Sequence, residues 1–229
     1  MIKVASYNIR KAIGSDRRRR PDRVLEVLNE IGADVVALQE ADRRFGTRAG
    51  VLTPLLEEHG WRAVPVNLRA ASTGWHGNAI LVRPEAQLLA CEQIHLPALE
   101  PRGAVLADLR IGGTPMRMVG MHLDLSGLWR RRQAHAILAH VDASATPLPT
   151  VLAGDLNEWS AAGGCLRDFA RAHRFAETGR SFHARRPIAR LDRIMVTVEW
   201  RIVAAGTHDS ATARTASDHL PVWAELELG

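Results

Sequence analysis

The chain has 229 residues, of which 46% are hydrophobic and 24% are charged. This length and composition are ordinary for one globular domain spanning residues 1–229, and they exclude a disordered chain and a fibrous repeat. The 2 cysteines exclude a disulfide framework and a four-thiolate zinc site, and the net charge of +5 is weaker than the basic footprint of a dedicated nucleic-acid-binding protein.

The predicted strands and helices are distributed along the whole chain. Apolar runs bounded by Gly, Pro or Asp predict strands at residues 2–9, 34–39, 63–66, 78–82, 104–111, 116–123, 150–156, 191–197, 200–205 and 221–226. Helical periodicity predicts helices at residues 21–31, 51–59, 128–141 and 165–173, with Gly60 as a C-terminal cap. Strands that follow one another directly in the second half favour antiparallel pairing within one α/β or α+β domain.

The chain shows no sign of membrane insertion or export. No stretch reaches the ~18 consecutive apolar residues of a membrane-spanning helix. The N-terminus begins with a strand-like run and lacks the long apolar region of a secretory signal. We therefore expect a cytoplasmic protein without a transmembrane segment.

Arginine dominates the basic residues: 28 of the 30 are arginine, and only Lys3 and Lys11 are lysine. The guanidinium group binds phosphate oxygens in bidentate fashion, so one interpretation is a polyanionic substrate. The other is codon usage in a GC-rich genome, and composition alone favours that second interpretation.

Polar residues are concentrated at the ends of the predicted strands. These residues are Asn8, Gln39, Glu40, His122, Asp124, Asp155, Asn157, Asp192, Asp218 and His219. Any one of them is more typical of a turn cap than of a functional site. If the strand ends converge, however, one pocket holds carboxylates, amides and two histidines. Such an oxygen-rich set suits Mg²⁺ or Mn²⁺, and a His with an Asp partner can orient and activate water.

Seven short motifs carry these residues in a recognisable order. They are SYNIR with Asn8, ALQE with Glu40, GNAIL with Asn78, MHLD with His122, AGDLN with Asp155 and Asn157, LDRI with Asp192, and SDHLPV with Asp218 and His219. In this order the sequence resembles the endonuclease/exonuclease/phosphatase superfamily, which includes deoxyribonuclease I, abasic-site endonucleases, neutral sphingomyelinases and inositol polyphosphate 5-phosphatases.

The resemblance implies a fold and a metal site. The expected fold is an α/β (α+β) four-layer sandwich like that of deoxyribonuclease I, with two mainly antiparallel β-sheets and helices outside. The residue matching Glu40 binds the catalytic Mg²⁺, for which Mn²⁺ is a plausible substitute. Asn8 lies near that metal, and Asp218 supplies further negative charge beside it.

The resemblance also implies catalytic roles. His219 contacts the scissile phosphate or its water, and Asp192 orients His219. Asp155 and Asn157 position the nucleophile, and Asp155 and His219 are both candidates for the base. A protonated His122 binds the phosphate and helps to protonate the leaving oxygen.

Donors around the phosphate complete the expected site. The side-chain amide of Asn78 is expected to stabilise negative charge on the phosphate. Arg102, in PRGAV, either reaches a substrate phosphate or is an exposed arginine at a strand start. Trp129 and the three arginines that follow it are interpreted as a solvated helix face rather than a headgroup contact. Trp75 and His76 either border the pocket or lie in a surface loop.

Two departures narrow the expected substrate. Arg10 and His122 differ from the acidic residue and the tyrosine typical of abasic-site endonucleases, and the stretch from Asp155 to Asp192 is short for a duplex-cutting member. We therefore expect a metal-dependent phosphodiesterase acting, as a monomer, on a lipid headgroup or another small diester. The alternatives are an endo- or exonuclease on DNA or RNA and a noncatalytic binding module, which the complete set of motifs disfavours.

Overall fold

Two six-stranded sheets pack face to face in the computed structural model, which describes residues 1–42, 50–66, 74–97 and 102–229. In that part of the chain the strands are β1 (Ile2–Asn8), β2 (Val35–Gln39), β3 (Arg62–Ala63), β4 (Ala79–Val82), β5 (Gln87–His95), β6 (Gly103–Ile111), β7 (Thr114–His122), β8 (Thr150–Asp155), β9 (Arg174–Phe175), β10 (Asp192–Val196), β11 (Trp200–Thr207) and β12 (Val222–Leu228). The helices are α1 (Pro21–Ile31), α2 (Gly127–Asp142), α3 (Cys165–Phe169) and α4 (Ala213–Ala216).

The first sheet has the strand order β11-β12-β1-β2-β4-β3, and the second has the order β5-β6-β7-β8-β10-β9. Among the described strands, β1–β2 and β7–β8 are parallel and the other neighbours are antiparallel. The predicted sandwich of two mainly antiparallel sheets is therefore confirmed.

Three apolar layers hold the four-layer arrangement together. Between the sheets, side chains such as Val4, Ile80 and Met118 are completely buried. A second layer joins α1 and α4 to the first sheet, and a third joins α2 and α3 to the second sheet. Since side chains alternate across a strand, each central strand supplies both an inner and an outer layer.

Helix α1 has the predicted bounds, and its sequence explains both ends. Pro21 occupies the first turn, where its missing N–H costs nothing, and the buried side chains Leu25 and Leu28 lie on one face. Gly32 ends the helix at φ 64°, a left-handed conformation that glycine adopts without steric cost.

Several elements differ from the sequence-based prediction, and the two-residue strand β9 and the four-residue helix α4 were not predicted. The expected helix at 51–59 is a pair of 3₁₀ turns, Thr53–Leu55 and Glu57–His59, although Gly60 follows in the left-handed conformation as expected. The expected strand at 63–66 is shifted to β3. Strand β5 was not predicted, because it is an edge strand with mostly exposed residues and a bulge between Leu88 and Ala90 that breaks its alternation.

The sheet pairing brings the functional strand ends together. The parallel pairs place Asn8 opposite Gln39 and His122 opposite Asp155, so each pair ends at one edge of its sheet. Strand β10 runs antiparallel to β8 and places Asp192 beside Asp155. None of the described helices is both long and apolar enough to cross a membrane.

Candidate active site

Asp155, the last residue of β8, lies at the centre of a group of buried polar side chains. Its Oδ2 accepts a 3.0 Å hydrogen bond from Asn8 Nδ2 and lies 3.4 Å from His122 Nε2 and 3.7 Å from His219 Nε2. We call His122, Asp155, Asp192 and His219 the buried cluster. Burial would raise the pKa of Asp155, but His219, His122 and the hydrogen bonds from Asn157 and Asn8 hold it below its usual value. Asp155 is therefore ionised at neutral pH.

His219 and Asp192 form the second contact of the buried cluster. His219 Nδ1 donates to Asp192 Oδ2 at 2.8 Å, and the Asp192 backbone N–H donates to Ser181 Oγ at 3.3 Å. Burial would lower the pKa of His219, but the carboxylates of Asp192, Asp155 and Asp218 raise it to about 10. Burial raises the pKa of Asp192, so the pair retains its proton over a wide pH range. At neutral pH, His219 is an imidazolium aimed at Asp155.

His122 behaves in the opposite way. Burial lowers its pKa to about 4 although Asp155 opposes the shift, and Arg102 adds to the lowering. Arg102 Nη1 lies 2.8 Å from Nδ1 and 3.1 Å from Nε2 of the ring. The expectation of a protonated His122 is therefore wrong for this state, since a buried imidazole beside a guanidinium stays neutral.

Asn157 follows β8 in a left-handed conformation with φ 50°. Its backbone N–H donates to Asp155 Oδ1 at 2.9 Å, and its Nδ2 donates to the Leu123 carbonyl at 2.9 Å. The strained backbone thus fixes the Asp155 carboxylate and joins the ends of β7 and β8. In this arrangement Asn157 contacts the buried cluster through its backbone N–H, while its side-chain amide bonds to the backbone of Leu123.

Glu40 follows β2, also with a left-handed φ of 54°. Lys11 Nζ donates to Glu40 Oε2, and the Lys11 backbone N–H donates to the Glu40 carbonyl at 3.0 Å. Burial would raise the pKa of Glu40, but the Lys11 ammonium, with His122 and Arg102, lowers it overall. Gly77 packs against this turn, and a Cβ there would lie 3.4 Å from Glu40 Cα.

Asp218 makes a similar contact with a cation. Arg10 Nε lies 3.3 Å from Asp218 Oδ2, and the Arg10 backbone N–H donates to Asn8 Oδ1 at 3.1 Å. Ser217 Oγ donates to the Asn8 carbonyl at 2.7 Å, which ties the segment before β12 to the end of β1. We call Glu40–Lys11 and Asp218–Arg10 the outer pairs. Their carboxylate side chains keep 27% and 21% exposure, against 2% for Asp155.

Two groups of residues offer ligands for a divalent cation. Within the described chain, ligand atoms of Asp155, Asp192 and His219 all lie within 4.8 Å of one another. In that group His219 Nδ1 is already bonded to Asp192 Oδ2. The carboxylates of the outer pairs offer only oxygen, which Mg²⁺ prefers, and are open to solvent. The donor chemistry therefore fits a hard divalent cation better at Glu40 and Asp218.

Asn78 makes different contacts from those expected of a phosphate donor. It is completely buried, and its Nδ2 donates to the Gly103 carbonyl at 2.8 Å and to the Trp75 carbonyl at 3.4 Å. Its amide N–H groups therefore hold the start of β6, the segment that carries Arg102. Trp75 packs on the inter-sheet layer and contacts His76 and His95 edge-on, with ring centroids 4.4 Å and 5.2 Å away.

The arginines after Trp129 form a solvated face only in part. Arg130 is buried, lies 3.2 Å from Glu158 Oε2 and donates to the Leu125 carbonyl at 2.6 Å. Arg131 Nε lies 2.9 Å from Asp168 Oδ2. These two arginines hold α2 against α3 and the loop after β8. The interpretation was wrong for the buried Arg130, whereas the side chain of Arg131 is 53% exposed as expected. Only Arg132 remains beside Trp129, with its guanidinium carbon 4.8 Å from the ring.

Sequence reasoning missed several residues that shape the site. Lys11 contacts Glu40, and its rarity in this arginine-rich chain was the available signal. An aromatic contact leads outward from His219: Phe182 lies on its ring with centroids 4.9 Å apart, and Trp159 meets Phe182 at 6.0 Å. Trp159 is 62% exposed and follows Asn157 by two positions, which was the signal for it. No sequence pattern indicated Ser181.

Comparisons with known proteins bear on the family of the chain. A family model described as "Endonuclease/Exonuclease/phosphatase family" matches residues 5–219. YbhP, an uncharacterised protein of Escherichia coli strain K12, is 27% identical over 257 aligned residues, which cover 99% of this chain and 96% of YbhP.

Solved structures share the fold. An endonuclease/exonuclease/phosphatase from Bacteroides vulgatus superposes with a TM-score of 0.80 at 20% identity, covering 100% of this chain and 99% of that one. A mannosyl-6-phosphatase from Bacteroides thetaiotaomicron superposes with a TM-score of 0.77 at 19% identity, covering 100% of both chains. At these identities the likeness concerns the fold.

Proposed function

The chain belongs to the endonuclease/exonuclease/phosphatase family, whose members hydrolyse phosphoester bonds, and on this basis we propose that it is a Mg²⁺-dependent phosphodiesterase. The substrate class that we favour is a lipid headgroup or another small diester. The observation that carries the proposal is the buried cluster, in which an ionised Asp155 lies between a neutral His122 and a protonated His219.

The charge balance of the site supports an anionic substrate bound together with a metal ion. Four carboxylates and four cationic groups face one another: Glu40, Asp155, Asp192 and Asp218 against Arg10, Lys11, Arg102 and His219. The protein groups alone therefore come close to neutrality. Glu40 and Asp218 would hold a divalent cation, which would supply positive charge to neutralise a phosphodiester and polarise its phosphorus–oxygen bonds.

Their different protonation states give Asp155 and His219 different catalytic roles. Asp155 is ionised, so it can accept the proton of the attacking water. His219 is protonated, so it can donate a hydrogen bond to a nonbridging oxygen but cannot act as the base. Asp192 maintains that protonation and fixes the orientation of the ring, with Ser181 bonded to its backbone.

His122 and Arg102 serve the opposite side of the phosphate in this proposal. The neutral imidazole offers one N–H donor, and the guanidinium offers a fork that matches two phosphate oxygens. Asn78 acts through Gly103 by holding the segment that carries Arg102. Asn8 and Asn157 act as positioning residues for Asp155.

The residues between Asp155 and Asp192 favour a small diester. Apart from α3 and β9 this stretch consists of loops, and its short overall length gives little surface for a nucleic-acid duplex. Trp159 and Phe182 provide an apolar rim beside His219 that suits the organic part of a small ester. The second candidate is a nuclease, which the excess of arginine over lysine favours. The cytoplasmic location and the monomeric state remain predictions.

A phosphoester panel tests the proposal. We expect Mg²⁺-dependent release of p-nitrophenol from bis-p-nitrophenyl phosphate, faster than from the monoester p-nitrophenyl phosphate, and complete loss of activity in EDTA. Glu40→Gln removes a ligand charge and should abolish turnover, whereas Glu177→Gln, at an exposed position, should not.

Natural substrate classes are compared in the same assay. Plasmid DNA, RNA and phospholipid vesicles are incubated in parallel with Mg²⁺ and with Mn²⁺. Release of a headgroup without nicking supports the small-diester proposal. Nicked plasmid without lipid turnover contradicts it in favour of the nuclease, and no turnover of any ester by the folded protein indicates a noncatalytic binding module.

A further inference from the structure

A cavity lies on the outer face of the second sheet. It has a volume of about 280 Å³ and is lined by Leu166, Ala170, Phe175, Arg167, Arg190 and Arg193, among others. We call it the Arg193 pocket. A dry cavity of about 150 Å³ already accommodates benzene in another protein, so this volume is on the scale of a small organic molecule.

The Arg193 pocket is separate from the active site although both use β10. Asp192 belongs to the buried cluster, and Ile194 of the same strand lies in the layer between the sheets. Met195 lies in the layer under α2 and α3. Because side chains alternate along a strand, Arg193 points to the same outer side as Met195, away from Asp155 and His219. None of the four residues of the buried cluster lines the pocket.

Arg193 itself is the unusual feature. Only 7% of its surface is exposed, and no hydrogen bond or ion pair joins its side chain to any residue in the described ranges. Arginine is rarely this buried without a partner. None of the nitrogens of Arg193 is among the fully enclosed unpartnered atoms of the described residues, so its free N–H donors open into the pocket. Burial and the like charge of Arg190 lower its pKa, yet a guanidinium remains charged in proteins.

The residues around Arg193 indicate which kind of ligand would neutralise its guanidinium charge. Arg167 and Arg190 add positive charge at the wall, and the one acidic lining residue, Glu177, lies 3.3 Å from Arg190 with its side chain 85% exposed. The rest of the wall is largely apolar, with Leu166 and Phe175 beside small alanines. The pocket thus combines an unneutralised cation with an apolar surface.

We propose that the Arg193 pocket binds a small amphiphilic anion, whose carboxylate or phosphate is held by Arg193 and whose apolar part lies on Leu166, Ala170 and Phe175. This assignment is independent of the hydrolytic activity, because the pocket uses none of the residues assigned to it. A planar two-oxygen anion matches the guanidinium fork, which explains an arginine at this position.

Isothermal titration calorimetry with octanoate tests the proposal, because octanoate offers a carboxylate and an apolar chain and contains no phosphoester. We expect saturable 1:1 binding to the full chain. Arg193→Met keeps the volume and removes the charge, and should weaken octanoate binding about tenfold or more. Arg171→Met, a charge-removing control outside the pocket, and His219→Ala, in the active site, should bind as the unaltered protein does.

Two further ligands test the apolar and the anionic part of octanoate separately, and a second variant provides a control for misfolding. Uncharged 1-octanol and inorganic phosphate should each bind more weakly than octanoate. Ala170→Trp fills the pocket and leaves Arg193 unsubstituted, so it should also abolish octanoate binding. It becomes the decisive variant if thermal unfolding shows that Arg193→Met is not folded. Absence of saturable octanoate binding to the unaltered protein, or equal binding by folded Arg193→Met, overturns the proposal.

Discussion

The buried cluster and the outer pairs use the same residue types, yet they differ in how their charges are satisfied. In the buried cluster, Asp155 and Asp192 are almost completely enclosed, and their partners are imidazoles held at fixed distances. In the outer pairs, Glu40 and Asp218 are partly exposed and are neutralised by the flexible side chains of Lys11 and Arg10.

The difference indicates a division of function within one site. Buried, hydrogen-bonded groups retain defined protonation states, which proton transfer requires. Partly exposed carboxylates with monovalent partners can exchange those partners for a divalent cation at a smaller cost than buried ones, because ion pairs near the surface contribute little stability. Each of the following substitutions removes one side-chain group and tests whether that group has the role assigned to it.

Asp155→Asn should have the largest effect. The amide cannot accept the proton of water, so kcat for bis-p-nitrophenyl phosphate should fall about 10³-fold or more. Circular dichroism and thermal unfolding verify the fold, and Asp142→Asn, at the exposed end of α2, serves as the control. Near-normal turnover by folded Asp155→Asn would assign the base elsewhere.

Asp192→Asn should reduce kcat about 10²-fold, because it removes the charge that keeps His219 protonated. It should also change the pH dependence of stability. The pKa of His219 is about 10 in the folded state against ~6.5 when unfolded, so its stabilising contribution is complete below about pH 6.5 and is lost as pH rises through about 10.

Denaturant unfolding at pH 6, 8 and 10 measures this effect. The unaltered protein should lose more unfolding free energy over that interval than Asp192→Asn does. His122 has the opposite sign: its folded pKa of about 4 means that its contribution is present above pH 6.5 and is lost as pH falls towards 4. Equal slopes between pH 6 and 10 would contradict a protonated His219.

Lys11→Met should have a smaller effect, and it should strengthen rather than impair the response of the enzyme to Mg²⁺. Removing the ammonium beside Glu40 removes a competitor for the metal, so the Mg²⁺ concentration for half-maximal activity should fall about two- to fivefold. Lys3→Met is the matched control, since the ammonium of Lys3 lies 3.3 Å from Glu225 on another part of the first sheet. A higher Mg²⁺ requirement in Lys11→Met would show that Lys11 supports the metal site.

Trp159→Ala should have the smallest effect. Its ring is largely exposed and contacts Phe182 rather than the buried cluster, so KM should rise about twofold with kcat unchanged. Steady-state kinetics on bis-p-nitrophenyl phosphate and methyl p-nitrophenyl phosphate, a diester with a smaller second group, separate the two parameters. A change in kcat alone would remove Trp159 from the substrate-binding rim.

The sequence was sufficient for the features that depend on local patterns. Apolar runs bounded by Gly, Pro or Asp located the strands that end at Asn8, His122 and Asp155, and ordered motifs identified the residues that the sheets bring together. The sequence was insufficient where contacts in the folded protein determine the protonation or the hydrogen bonds of a residue. The neutral state of His122 depends on burial beside Arg102, and the bonding of Asn78 depends on where β6 begins. Lys11, Ser181 and the Arg193 pocket depend on contacts between segments far apart in sequence.

The most direct test of the division between buried cluster and outer pairs is Mg²⁺ binding, measured by isothermal titration calorimetry on Glu40→Gln and Asp155→Asn. The account predicts that Asp155→Asn retains Mg²⁺ binding without turnover, whereas Glu40→Gln loses Mg²⁺ binding. The reverse result, with binding lost in Asp155→Asn and retained in Glu40→Gln, would place the metal among Asp155, Asp192 and His219 and contradict the account.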